Sequence, residues 1–315
     1  MNTIEQAAKR IEQLRRAGID VPWGAAGVEQ PPGQPAVADG ATATPELSVA
    51  PVDPDALSAG PDDGADDPRS ERRSKQVDLN LHRLTEAGYL IPGRERSQLE
   101  EEFRIIKRPL LKNATGESAA PVDRANLIMV TSALPGEGKT YTSINLAISL
   151  AMELDHTVLL VDADVVRPAV LDRLGLPGSP GLLDILTQPD LDLADVMLKT
   201  NIPKLTLLPA GSAAGVANTT ELLASGAMEV LLTDLAQTYS DRIIVFDAPP
   251  LLPSTESRVL ATHMGQIVVV IEADRTPKTS VAQAFTTLEA CPVVMSVLNK
   301  CSSKKANSAY GYYAV

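Results

Sequence analysis

An α/β fold built on a doubly wound, mostly parallel sheet is what this sequence predicts, on three observations. Short apolar runs at residues 127–130, 157–161, 205–208, 243–246, 267–271 and 293–298 read as strands buried on both faces, because parallel strands covered by helices lose the alternation of a half-exposed sheet. Helical patterns at 141–153 and 221–239 lie between them, as in a succession of βαβ units. The ends of three strands carry a glycine-containing loop or an aspartate, at the edge where open parallel sheets bind ligands.

The first ninety or so of the 315 residues are poorly suited to a core. Ile4, Ala7, Ala8, Ile11 and Leu14 mark one face of a short helix over residues 3–16, which either docks on a partner or frays in water. Between Val37 and Pro68 the acids Asp39, Glu46, Asp53, Asp55, Asp62, Asp63, Asp66 and Asp67 meet no basic residue, and Pro, Ala and Gly fill the gaps. Such a stretch cannot bury enough apolar surface to offset its ordering entropy. The expected organisation is therefore a helix in 1–20, a disordered acidic linker over 21–76, an α/β domain over 77–300 and a flexible tail over 301–315.

Ordered structure is expected to resume near residue 77, with Leu79, Leu81, Leu84, Leu90 and Ile91. Ser97 to Glu100 fits a capping box opening a helix that turns Leu99, Phe103 and Ile106 inward and that Pro109 would end. On it Glu101, Arg104 and Lys107 recur every third residue along one surface. That is either a salt-bridged solvated face or a contact between identical subunits.

The strand 127–130 runs into T-S-A-L-P-G-E-G-K-T and then a helix. This is a phosphate cradle with Ala133 at the first position of G-x-x-x-x-G-K-[ST]. Gly136 and Gly138 let successive N–H groups converge, and the helix start near Lys139 adds its positive dipole end. Ala133, Pro135, Gly136, Glu137, Gly138, Lys139, Thr140 and Tyr141 are the expected ATP-binding residues. Lys139 would reach the β- and γ-phosphates, and Thr140 would ligate Mg²⁺. The next strand ends in D-A-D-V-V-R-P, with Asp162, Asp164 and Arg167, and R-I-I-V-F-D-A-P-P puts Asp247 at the end of another. Three strand-end acids around one cradle suit metal-assisted phosphoryl chemistry better than three independent turns.

Composition excludes several classes. A formal charge of −12 with no basic stripe argues against nucleic acid. Cys291 and Cys301 lack C-x-x-C spacing, and His82, His156 and His263 are scattered, so neither a disulfide framework nor a structural zinc site is expected. No apolar run approaches the ~18 residues of a membrane span. The N-terminus has no signal-peptide core, so a cytoplasmic protein is expected. The tail, S-S-K-K-A-N-S-A-Y-G-Y-Y-A-V, holds three of the six tyrosines of the chain, Tyr310, Tyr312 and Tyr313. They either dock into a groove or serve as mobile phosphoryl acceptors.

With these motifs in view, the chain resembles the bacterial tyrosine kinases of exopolysaccharide export, most nearly the exosortase-associated tyrosine autokinases. The resemblance rests on A-L-P-G-E-G-K-T, L-L-V-D-A-D-V-V-R-P, I-V-F-D-A-P-P and the tyrosine cluster, and covers roughly residues 77–315 and the N-terminal helix. It implies a P-loop fold of the ParA/MinD superfamily and ATP with Mg²⁺. Lys139, Asp162 and Asp164 would be catalytic, and Thr140, Asp162 and Asp247 would hold the metal. The acceptors would be Tyr310, Tyr312 and Tyr313 of a neighbour in a ring contacted through Glu101, Arg104 and Lys107. It further implies a separate membrane polysaccharide co-polymerase as activator, drawing the kinase to the inner face of the membrane, and other tyrosine substrates. The family usually reads D-x-D-x-R, whereas Arg167 falls one residue later here. It usually reads E-x-x-R-x-x-R, whereas this chain ends in Lys107, which lacks the planar fork. The readings to set against a kinase are a ParA- or MinD-like positioning ATPase and a nucleotide-sensing subunit of a secretion complex. The former carries an early loop lysine where Leu134 and Pro135 stand here.

Overall fold

The computed structural model describes residues 75–93, 97–188, 190–212, 218–238 and 242–302. The expected helix at 3–16, the acidic linker up to residue 74 and the tyrosine tail lie outside the described residues. The described structure starts with β1 (Lys75–Val77) and α1 (Leu81–Glu86), so residues 75 and 76, expected in the linker, form part of a strand. Asn80 caps α1 by accepting from Arg83 N, and Asn201 holds this segment by bonding both Leu79 N and Leu79 O at 3.0 Å.

Helix α2 (Gln98–Ala114) starts where expected, with Ser97 Oγ accepting from Glu100 N at 3.1 Å. Pro109 does not end it. The N–H that proline lacks would have met the carbonyl of Ile105, and both Pro109 and Ile105 are exposed, so water can serve that carbonyl while Leu110, fully buried, holds the next turn to the core. The Glu101–Arg104 pair is exposed and closes within one chain. Lys107 corrects the expectation of a continuous charged surface. Only 6% exposed, it donates to Ser149 O at 2.6 Å and pairs with Glu153 Oε1 at 2.6 Å.

Strand β2 (Leu127–Ser132) leads through the glycine loop into α3 (Lys139–Ala151), and β3 (Thr157–Asp162) follows. Short helices α4 (Val170–Leu174), α5 (Leu182–Thr187) and α6 (Leu193–Val196) then lead to β4 (Leu198–Thr200) and β5 (Leu205–Leu208). The single helix expected over 221–239 is two, α7 (Thr219–Leu223) and α8 (Gly226–Thr238). Ser225 breaks it, its hydroxyl accepting from Met228 N at 3.3 Å as a new N-cap. Then come β6 (Arg242–Asp247), α9 (Thr255–Ala261), β7 (Gln266–Glu272), α10 (Lys278–Thr286) and β8 (Val294–Asn299).

The eight strands lie in the order β1-β4-β5-β3-β6-β2-β7-β8, and only β4 and β5 run antiparallel. Alternate residues serve opposite layers, as strand geometry requires. Leu127, Met129, Leu159, Val161, Ile244 and Phe246 pack with α8 and α9 through Met228, Leu232 and Leu260. Ile128, Val130, Val158, Leu160, Ile243 and Val245 pack with α2 and α3 through Phe103, Leu110, Ile144 and Ile148. Both faces are dry, which explains the uninterrupted apolar runs. The P-loop strand β2 is thereby fixed between β6 and β7.

Lys107→Ala should destabilise the protein by about 2–3 kcal/mol, because it leaves a buried carbonyl and a half-buried carboxylate without their cation. Arg104→Ala, at an exposed pair, should stay within about 0.5 kcal/mol. Urea denaturation of both variants beside the parent measures the contrast.

Candidate nucleotide-binding and transfer site

The loop after β2 is braced from outside. Ser132 Oγ donates to Leu134 O at 2.7 Å, and Glu137, 2% exposed, takes Leu134 N at 2.6 Å on one carboxylate oxygen and the Thr276 hydroxyl on the other. Beyond β8, Asn299 Nδ2 donates to Glu137 O at 2.9 Å and Lys300 Nζ to Gly136 O at 2.7 Å. In a trans peptide the N–H points opposite the carbonyl. Anchoring these two carbonyls outward therefore aims the N–H groups of Glu137 and Gly138 into the cradle. Gly138 adopts φ 101°, a conformation that favours glycine, and a Cβ there would lie 2.1 Å from Asn299 Nδ2 and displace that brace.

Beneath the cradle β3 and β6 pair in register, setting Asp162 opposite Asp247. Asp162 Oδ2 accepts from Ala169 N at 3.0 Å and Val170 N at 2.9 Å at the start of α4, and Asp247 Oδ1 accepts from Ser143 Oγ at 3.0 Å. Asp162 Oδ1 and Asp247 Oδ2 are buried with no partner. Burial, then the Asp247 charge, push the Asp162 carboxyl up to about 7, against its backbone hydrogen bonds. Burial also raises Asp247, opposed by Lys139 and by hydrogen bonds from Thr140 and Ser143. Asp164 stays nearer the surface, where Lys139 Nζ meets Oδ2 at 2.6 Å and Arg167 N donates to Oδ1 at 3.1 Å.

These residues fit a magnesium ion. Mg²⁺ takes oxygen ligands, commonly one or two carboxylates with waters and substrate phosphates, and two buried carboxylate oxygens lack partners beside the Thr140 hydroxyl. Among the described residues no group of three or more His, Cys, Asp or Glu side chains could hold a metal, so waters and phosphate oxygens would complete the shell. Above lies a cavity of about 1050 Å³, lined on one side by Gly136, Gly138, Lys139 and Thr140 and on the others by Arg83, Arg167, Arg173, Pro249, Pro250 and Lys300.

The family model described as an AAA domain matches residues 125–296. The tyrosine-protein kinase YwqD of Bacillus subtilis (strain 168) is 30% identical over 246 residues, 77% of this chain and 94% of that protein. The chain belongs to the bacterial tyrosine-kinase family. Tyrosine-protein kinase CpsD of Streptococcus agalactiae is 28% identical over 190 residues, 59% of this chain and 80% of that one. Among solved structures, the VpsO kinase domain is 33% identical with a TM-score of 0.52, covering 65% of this chain and all of that one.

In this family member the structure gathers Lys139, Thr140 and Asp164 at the cavity and sets Asp162 and Asp247 opposite each other on the adjacent strand ends β3 and β6. Arg167 lines the cavity although it falls one residue later than the family spacing. Three of the expected nucleotide contacts look different in detail. Ala133 is fully buried and its carbonyl accepts from Leu252 N at 3.3 Å, so it seats the loop. The Glu137 side chain faces the interior and leaves its N–H to the cradle. Tyr141 lines the cavity, but its hydroxyl donates to Gly88 O at 2.7 Å and its ring packs on Tyr89 with centroids 5.2 Å apart. Sequence reasoning missed Ser143, Asn299, Lys300 and the arginines Arg83 and Arg173. Only Ser143, one helical turn past Lys139, carried a readable signal.

The raised Asp162 carboxyl predicts a pH dependence. Its folded value of about 7 lies above the unfolded 3.8, so the folded state holds the extra proton. The contribution of this carboxyl to stability is therefore greatest at low pH and falls as pH rises toward 7. In EDTA, the parent should lose roughly 2 kcal/mol between pH 5 and pH 8 relative to Asp162→Asn, which can still accept the two N–H bonds. Urea denaturation at both pH values measures it, and parallel losses would count against a buried, protonated carboxyl.

Proposed function

We propose that this protein is an ATP-dependent tyrosine autokinase that phosphorylates Tyr310, Tyr312 and Tyr313 of a neighbouring copy. The observation that carries this reading is the Lys139–Asp164 pair at the cavity, beside the braced cradle. Phosphate oxygens arriving at the cradle compete with Asp164 for Lys139, and losing that lysine frees Oδ2 of Asp164 as a base. Asp164 lines the cavity, which favours it over the deeper Asp162 as the group that takes the phenol proton. In the transfer the phenol oxygen bonds to the γ-phosphorus while the bond from that phosphorus to the bridging oxygen breaks. ADP leaves with the electron pair, and the proton passes to the carboxylate. Lys139 and the loop N–H groups hold the phosphates in line and neutralise charge, the main work in such reactions. Mg²⁺ held at Thr140, Asp162 and Asp247 would supply further neutralisation of the phosphate oxygens.

Around this centre we place the other expected features. Glu101 and Arg104 on the exposed face of α2 are the candidates for contact between copies in a ring. A membrane polysaccharide co-polymerase is the proposed activator, recruiting the kinase to the cytoplasmic face and tying phosphorylation to exopolysaccharide polymerisation and export. No helix among the described residues is long and apolar enough to cross a membrane. The names of the relatives, tyrosine-protein kinases, support the tyrosine as acceptor.

Full-length protein incubated with labelled ATP and Mg²⁺ should accumulate phosphotyrosine at the tail. Lys139→Met should reduce it at least about 100-fold, and simultaneous Tyr310→Phe, Tyr312→Phe and Tyr313→Phe should remove it while preserving nucleotide binding. Release of free phosphate without phosphotyrosine would instead identify a positioning ATPase, and binding without either product a sensing module.

A further inference from the structure

The cavity is more basic than the chain that forms it. In a protein of formal charge −12, it is lined by Arg83, Lys139, Arg167, Arg173 and Lys300 against Asp164, Asp172 and Glu256. Several of these ions are already engaged. Lys139 pairs with Asp164 and Lys300 with Glu272, and Glu256 accepts from Thr219, Thr220 and Ser254. Arg83, Arg167 and Arg173 make no ion pair with a described carboxylate.

Arg167 belongs to the transfer loop, its N–H bonded to Asp164. Arg83 and Arg173 sit elsewhere, where α1 meets α4. The guanidinium of Arg83 rests on Gly175, the left-handed C-cap of α4, where a Cβ would lie 2.7 Å from Nη1. Arg173 is in the last turn of the same helix. Its charge reaches the Tyr89 phenol and favours ionisation there, against the larger effect of burial. The strap that carries Arg83 is itself fixed to the P-loop helix, by Leu90 N on Asn145 Oδ1 at 2.8 Å and by the Tyr141 hydroxyl on Gly88 O. Two exposed arginines thus line the cavity from separate elements, with Asp172 beside Arg173 on α4. Planar guanidinium forks of this kind match phosphate oxygens.

The acceptor segment has no acidic side chain to offer them. Residues 303–315 contain Lys304 and Lys305 and no Asp or Glu, so the segment presents a dianion only once a tyrosine in it carries phosphate, at about −1.5 to −2. Tyr310 and Tyr312 are two residues apart. In an extended peptide they project to the same side, about 7 Å from each other.

We propose that Arg83 and Arg173 form a phosphotyrosine subsite beside the transfer centre, which holds a tail already phosphorylated at one tyrosine and presents the next for phosphorylation. This rests on the kinase reading above and deepens it. The subsite makes the first phosphate a recognition element for the second, so multiple phosphorylation proceeds in sequence along one tail. Arg83 and Arg173 act here as specificity residues, with no part in the bond-making step.

The test uses the full chain with Tyr310→Phe, Tyr312→Phe and Tyr313→Phe, so that its own tail does not compete. The probe is a labelled peptide of residues 303–315, unmodified or with phosphate on Tyr312. Fluorescence anisotropy and the KM for phosphorylation at Tyr310 are read at fixed salt. The phosphopeptide should bind about tenfold more tightly, and Arg83→Gln or Arg173→Gln should erase that advantage. Both variants should leave the KM for ATP and the affinity for the unmodified peptide within about twofold. Arg83→Lys, which keeps the charge and loses the fork, should retain part of the preference. Equal affinity for the two peptides overturns the subsite, as does a rise in the KM for ATP matching the loss of phosphopeptide binding. If peptide is phosphorylated without preference, the kinase reading stands and the subsite falls. If the arginine-dependent preference appears but no peptide is phosphorylated, the subsite stands and the kinase reading falls.

Discussion

Two carboxylates facing each other across dry parallel strands are the constraint around which this molecule is arranged. Asp162 and Asp247 are paired by the register of β3 and β6, and one oxygen of each has no partner. Leaving such atoms buried costs on the order of 1–3 kcal/mol each, a cost a fold tolerates where a cation is to be held. Everything nearby limits that cost without removing it. Ser143 reaches down from the P-loop helix, and the first N–H groups of α4 are given to Asp162. The same carboxylate therefore fixes the helix that carries Arg173, so the geometry of the carboxylate pair and that of the outer cavity wall are set together.

The phosphate-binding loop is held by contacts distant in sequence. Its carbonyls are held by Asn299 and Lys300, at the end of the edge strand β8, and its buried glutamate by Thr276 after β7. Lys300 adopts φ 58° to do so, an uncommon conformation for a residue with a side chain. Residues 301 and 302 follow directly, so the segment that leads to the tyrosines departs from the strand end that braces the phosphate cradle. Lys107 makes a comparable physical link, joining the helix that bears Glu101 and Arg104 to the last turn of the P-loop helix.

Most of the central sheet was legible because its strands are buried on both faces and separated by helices, and the site because strand ends, glycines and acids fall in a fixed order. What stayed hidden depends on contacts distant in sequence. Val77 alone gives β1 an apolar residue, and β1 exists because β4 pairs with it. Pro109 read as a stop, since the solvent exposure that makes a missing N–H tolerable is a tertiary property. Lys107 read as surface because its partners lie some forty residues on, in and after α3. Glu137 was expected at the nucleotide from the spacing of the loop, and the bond of its side chain to Thr276 is not visible in that spacing. The arginines Arg83 and Arg173 are separated by α2, β2, α3 and β3 and carry no common motif.

The most direct test of the central arrangement is a crystal structure of the full chain with a non-hydrolysable ATP analogue and Mg²⁺. The account predicts Lys139 Nζ on the phosphates instead of on Asp164, and a metal within about 2.1 Å of the Thr140 hydroxyl, with Asp162 and Asp247 turned toward it directly or through its waters. Phosphates bound elsewhere, or a metal with both carboxylates still facing the protein interior, would contradict it.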